Sequence, residues 1–319
     1  MYKTIPKINS ENIWAGLSDN NNSNVIRILE NNLDKVDWRR LSRNPYAIHI
    51  LEKYPYKIYW KELSSNPNAI YLLEKYPDPI DWVELSANPN AIPILEKYPE
   101  KIHWKILSKN PNAIAILEKY PDKIHWDVLS GNPNAIHLLE KNPEKIYWDH
   151  LSGNPNAISI LEKNPEKIVW NVLSSNPGAI HLLEKYPDKI VWEWLQLNFN
   201  AVHLLEKNPK KIDWEWLSMN PNAIAILEKN IEKISWLNLS RNPNAISILE
   251  KHLNNFDSWF WLATNPNALH LLFDYDYEGM KEERKVLSKE LVEYVFHPKR
   301  LIRFCKLLQL DVDEYLEIV

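Results

Sequence analysis

Glycine is scarce in this chain, with five residues in 319, where ordinary usage is near 7%. The chain therefore has little material for phosphate-cradling loops, for the strained turn that exposes a hydrolase nucleophile, or for tight hairpin turns. This argues against nucleotide-binding and many-stranded β folds. The single cysteine, Cys305, excludes an intramolecular disulfide framework and any multi-cysteine zinc site. Positive charge is not in excess either: 38 Lys and Arg stand against 42 Asp and Glu, net −4, which argues against a general polyanion binder. No apolar run is long enough to cross a bilayer. The first ten residues contain no apolar core of a secretory signal, so the chain is expected to stay in the cytosol.

Tryptophan and proline, by contrast, are abundant, with 15 and 22 residues. Trp recurs at 38, 60, 82, 104, 126, 148, 170, 192, 214 and 236, a period of 22 residues held over nine steps. Trp14 precedes the series and Trp259 follows it, each slightly out of step, so about twelve copies occupy residues 8–273. The first unit, 8–35, is irregular, the units over 36–252 are in register, and the last covers 253–273.

One unit, Lys123 to Glu144, shows how local chemistry divides the repeat. Ile124, Trp126 and Leu129 share a side at helical spacing, and Asn132-Pro133 ends that segment because the residue before proline is pushed out of the α region. The same pair is expected to start a second helix, with Asn132 as N-cap and Pro133 as first helical residue, running nine or ten residues to Pro143. Ala135, Ile136 and Leu139 form its buried stripe, Leu138 flanks it, and Asn134, His137 and Lys141 point away. A lone hairpin of this size cannot bury enough to fold. The predicted fold is therefore all-α: an α-solenoid of about twelve 22-residue helix-turn-helix repeats, stacked as a rod or arc on the order of 100 Å long. Residues 274–319 leave the period and predict a C-terminal helical cap, with helices over 282–296 and 299–310.

The repeated run Asn-Pro-Asn-Ala-Ile-x-Leu-Leu-Glu-Lys-Asn-Pro-x-Lys-Ile-x-Trp-x-x-Leu-Ser resembles the tandem short-repeat proteins of mimivirus-like giant DNA viruses. The tail Leu291-Val-Glu-Tyr-Val-Phe-His-Pro-Lys-Arg-Leu301 is similar to the element that closes such proteins. Asn198-Phe199, Ile231 and Leu253 depart from the proline pattern. The resemblance implies a viral product in the host cytoplasm, in the virus factory or in the virion. It implies no activity.

Candidate chemistry is sparse. His49, His137, His181, His203 and His270 share one repeat position on the outward side of the second helix, where stacking spacing is too wide for a zinc ladder. They read as surface residues, with His137, His181 and His203 available to a partner. Glu-Lys pairs recur in nearly every unit and read as a solvated edge with ion pairs between units. The Ser and Asn of Leu-Ser-x-Asn-Pro lack a nucleophile's surroundings and are expected to satisfy backbone groups in polar ladders along the loops. In the tail, Lys299, Arg300, Arg303 and Lys306 form a basic cluster, a candidate anion contact. No cofactor or metal is expected.

The second residue after each Trp changes along the chain from charged (Arg40, Glu62, Glu84) to aromatic (Trp194, Trp216, Trp261). Exposed, these residues would form a stripe of binding anchors; between helices, they would only adjust core volume. The sequence thus leads to a non-enzymatic protein–protein interaction scaffold. The alternatives are a structural or self-assembling virion component and, less favoured because no basic groove accompanies the aromatics, a helical repeat that binds single-stranded nucleic acid. No membrane partner is expected.

Overall fold

Residues 2–4, 11–252 and 259–275 are described by a computed structural model. The chain divides into a repeat body, Ile8–Leu272, and a second body made of Met1–Lys7 and Phe273–Val319. In the second body, strand β1 (Tyr2–Thr4) pairs antiparallel with β2 (Phe273–Tyr275), Lys3 opposite Asp274. The cap expected over 274–319 lies outside the described residues, except for Asp274 and Tyr275 in β2. Lys299, Arg300, Arg303 and Lys306 lie outside them as well.

The repeat body holds 24 α-helices among its described residues, two for each of twelve units, numbered here by their Trp from unit 1 (Trp14) to unit 12 (Trp259). In unit 6 the first helix is Trp126–Leu129 and the second Ile136–Lys141, followed by a 3₁₀ turn, Pro143–Lys145. The second helix is shorter than expected and starts three residues later. The reason is the Asn-Pro-Asn turn. Asn132 Oδ1 accepts from Asn134 N at 3.0 Å and its carbonyl from Ala135 N at 3.1 Å, so the asparagine closes a turn and Ala135 becomes the helix N-cap. Pro143 ends the α-helix as expected, but it also opens the 3₁₀ turn that carries the chain to the next unit.

Helices of four to six residues have no stability of their own, and their order comes from burial between units. Leu129, Ala135 and Leu139 are fully buried, Leu138 nearly so, and Ile136 half-buried, the reverse of the expected order for the last two. Asn134, His137 and Lys141 are exposed, as predicted.

The buried Ser and Asn form the expected ladders. Ser108 Oγ donates to Trp104 O at 2.9 Å and accepts from His125 N of the following unit at 3.1 Å. Asn132 Nδ2 donates to Ser108 O at 3.1 Å and to Asn110 O at 3.0 Å, both in the preceding unit. A third row links the exposed Asn of most turns to the proline carbonyl of the preceding unit, as Asn134 to Pro111 O at 3.0 Å. Each unit thereby satisfies backbone groups that its neighbour's helix ends leave open.

The ladders do not stop at the ends, and this corrects the expected rod or arc, whose terminal units would not meet. Asn20 of unit 1 donates to Ala263 O at 2.7 Å and Asn265 O at 3.1 Å in unit 12, and Asn22 donates to Pro266 O at 2.7 Å. These are the bonds Asn44 makes to Ser18 O and Asn20 O. The helix Glu11–Ser18 packs on Trp259–Thr264, and a Cβ on Gly16 would sit 2.6 Å from Phe260 O and 2.7 Å from Ala263 Cβ, so only glycine allows the approach. The repeat body is a closed ring of twelve units. First helices of successive units lie close together; second helices are bridged by long side chains such as Lys119–Glu96 at 2.8 Å. This difference in spacing sets the curvature that closure requires.

Candidate interaction surfaces

The first helices bury Leu at the fourth position, and Ser at the fifth in most units; the two residues after Trp range from exposed, as Lys105, to buried, as Val128. Units 2 to 6 link these positions with pairs of opposite charge, as in Arg39–Glu62 at 2.5 Å, Lys61–Glu84 at 3.9 Å and Lys105–Asp127 at 3.5 Å. Burial pushes the Asp127 carboxyl up, but the Val128 N–H and Lys105 outweigh it and hold the group below the usual carboxylate range. In units 9 to 11 the character changes. Trp194 is 42% exposed and Trp216 47%, and Leu197, Phe199 and Leu237 are also exposed. Glu193 and Glu215 stand exposed beside the two tryptophans with no ion pair among the described residues. Trp261, the third predicted anchor, is half-buried, with the Arg241 guanidinium 4.3 Å from its ring centre.

Two exposed members of this patch, Leu197 and Leu237, lie outside the position singled out in the sequence. Phe199 was visible there only as a departure from proline. Their signal was the same loss of charge, spread over neighbouring positions of the same units.

The predicted histidines lie on the exposed side of the second helices, and each meets a Glu of the preceding unit. His137 Nε2 is 3.0 Å from Glu118, His181 2.7 Å from Glu162 and His203 3.0 Å from Glu184; His49 and His270 repeat the pattern with Glu30 and Glu250. A regular spacing of 19 or 20 residues between Glu and His was there to be read in the sequence. Lys75–Glu52 and Lys97–Glu74 bridge the same row. Beside Glu96, Lys119 is held above its usual range, first by the hydrogen bond and then by the charge. Among the described residues no group of three or more His, Cys, Asp or Glu is placed to hold a metal ion, and no helix is long and apolar enough to cross a membrane.

The repeating Trp is half-buried, and the chain covers its ring in two ways. Where the sixteenth residue after it is Tyr, the rings meet edge to face or tilted, as in Trp82–Tyr98 at 5.5 Å and Trp104–Tyr120 at 5.1 Å. Where that residue is Asn, the amide turns back to cap a carbonyl four residues earlier, as Asn164 to Ile160 O at 2.8 Å, and in three of these four units the nineteenth residue, a Lys, lies over the ring. The distances are 4.6 Å for Lys145–Trp126, 4.7 Å for Lys167–Trp148 and 5.0 Å for Lys233–Trp214.

At one place among the described units the polar ladder leaves buried side-chain atoms without partners. Gln196 stands where Ser is the rule, and its Nε2 donates to Trp192 O at 3.0 Å and Lys211 O at 2.9 Å. Its Oε1 and the Nδ2 of Asn220, both buried, have no partner. The break falls in units 9 and 10, which also carry Trp194 and Trp216. No known protein family, no curated protein and no solved structure matches this chain.

Proposed function

We propose that the protein is a non-enzymatic scaffold whose ring holds a partner protein on the face formed by Trp194, Leu197, Phe199, Trp216 and Leu237. The observation that carries this reading is the exposure of two tryptophans one repeat apart, with Leu197, Phe199 and Leu237 exposed in the same three units, where units 2 to 6 carry ion pairs at the same helix positions. Large exposed aromatics that contribute nothing to the fold are costly to solubility, and Trp is the residue most enriched among binding hot spots. Glu193 and Glu215 give the patch an acidic border, which selects a segment with apolar and basic side chains. A closed ring also keeps the two anchors in fixed register, so little ordering is lost on binding.

On the resemblance of its repeat, the setting is the cytoplasm of a host infected by a giant virus. The test is affinity capture from host lysate with wild-type protein and a Trp194→Ala/Trp216→Ala variant of unchanged melting temperature. The wild type is expected to retain a stoichiometric protein that the variant loses. Equal recovery by both proteins, or no stoichiometric protein at all, would overturn the reading, while concentration-dependent polymers in light scattering would assign the patch to self-assembly.

A further inference from the structure

Of the four units in which Asn replaces the covering Tyr, three place a Lys over the Trp ring; the fourth, unit 9, does not. Asn208 there makes the usual bond, to Leu204 O at 2.9 Å, but Lys211, the equivalent of Lys167, has its carbonyl bound by Gln196 and its ammonium away from Trp192. The consequence is a cleft over Trp192 of about 620 Å³, whose counterpart over Trp148, with Lys167 in its lining, has about 300 Å³. The larger cleft is lined by Leu183, Pro187 and Leu204 together with two acids, Glu184 and Asp188, and one base, Lys207. Glu184 is engaged by His203, whereas Asp188 has no ion pair among the described residues.

We infer that the cleft over Trp192 is a binding site for a lysine side chain of a partner protein, whose ammonium takes the place that Lys145, Lys167 and Lys233 occupy over Trp126, Trp148 and Trp214. The protein itself identifies the occupant: in every other Asn unit the face of the ring is filled by an alkylammonium. The apolar walls suit the methylene stem, and the Asp188 carboxylate suits the charge. Residues 192 and 194 are about 200° apart around their helix, so this cleft and the Trp194 face are separate surfaces, and the inference stands apart from the scaffold reading.

The experiment uses full-length protein labelled with 5-fluorotryptophan, titrated with Nα-acetyl-lysine methylamide and followed by ¹⁹F NMR, the Trp192 resonance being assigned by Trp192→Phe. That resonance is expected to shift saturably in the millimolar range, while the neutral norleucine analogue moves it at least several-fold less. Asn208→Tyr, which installs the cover used in five other units, is expected to abolish the shift without lowering the melting temperature, and Asp188→Asn to weaken binding several-fold. Trp194→Ala/Trp216→Ala is expected to leave it intact, so loss of either site reads independently of the other. An unmoved Trp192 resonance, an equal shift at Trp148, or an equal response to norleucine would overturn the inference.

Discussion

A buried asparagine in this ring is worth more than its size suggests, because its amide serves two carbonyls of the neighbouring unit while its oxygen serves its own turn. Asn110 donates to Ser86 O and Asn88 O and accepts from Asn112 N. Asn110→Ala removes all three bonds and leaves two buried carbonyls without these donors, so it is expected to destabilise by about 2–4 kcal/mol in urea titration. Asn220 accepts from Asn222 N but its Nδ2 has no partner, and Asn220→Ala is expected to cost about 1 kcal/mol. Equal costs would mean that the break in the ladder is not a real weakness. Gln196→Ser tests the same seam from the other side. It restores the hydroxyl that elsewhere links a Trp carbonyl to the next unit and is expected to stabilise by about 1 kcal/mol. The roles of Ser and Asn were legible because a residue repeated at every loop is read many times over. What Gln196 does to Asn220 and Trp192 was not, since it depends on where a longer side chain finds its acceptors.

Each repeating element holds its tryptophan with a locally chosen partner, and the choice between Tyr and Asn is a change of mechanism more than of strength. An edge-to-face pair and an ammonium over a ring each contribute about 1 kcal/mol. Tyr120→Asn is therefore expected to cost less than about 1.5 kcal/mol, because Lys123 stands at the repeat position from which Lys145 covers Trp126 and can cover Trp104 in the same way. Adding Lys123→Ala is expected to cost more in the Tyr120→Asn background than in wild type. A double-mutant cycle with no coupling would dismiss the exchange. The Tyr/Asn alternation stood in the sequence, but its meaning needed the distance from Lys to ring. The helix starts were misplaced for a related reason: proline at a first helical position is a sound expectation, yet the asparagines on both sides stabilise a turn that delays the first i→i+4 bond to Leu139 N→Ala135 O.

Twelve units closing a full circle turn about 30° each, and that small angle is the property least visible in the sequence, because it is a sum over side-chain volumes at every interface. The clue to closure lay in the irregular ends: Asn20-Asn-Asn22 keeps both ladder asparagines without the proline, and Gly16, a rare glycine within a helix, sits where Phe260 and Ala263 approach. In an open solenoid the terminal units lack one neighbour and fray, whereas a ring gives every unit two. Hydrogen exchange separates the cases. In wild type, the amides of Leu29 in unit 1 and Leu271 in unit 12 are expected to be protected to the level of Leu139 in unit 6. Gly16→Val places side-chain atoms where a Cβ alone already meets Phe260 O, so it is expected to open the seam and lower protection by at least roughly tenfold in units 1 and 12, with units 5 to 7 affected less. Fast exchange of the wild-type terminal units, or a Gly16→Val profile identical to wild type, would show that the ladder from Asn20 to Ala263 and Asn265 does not hold the ends together in solution.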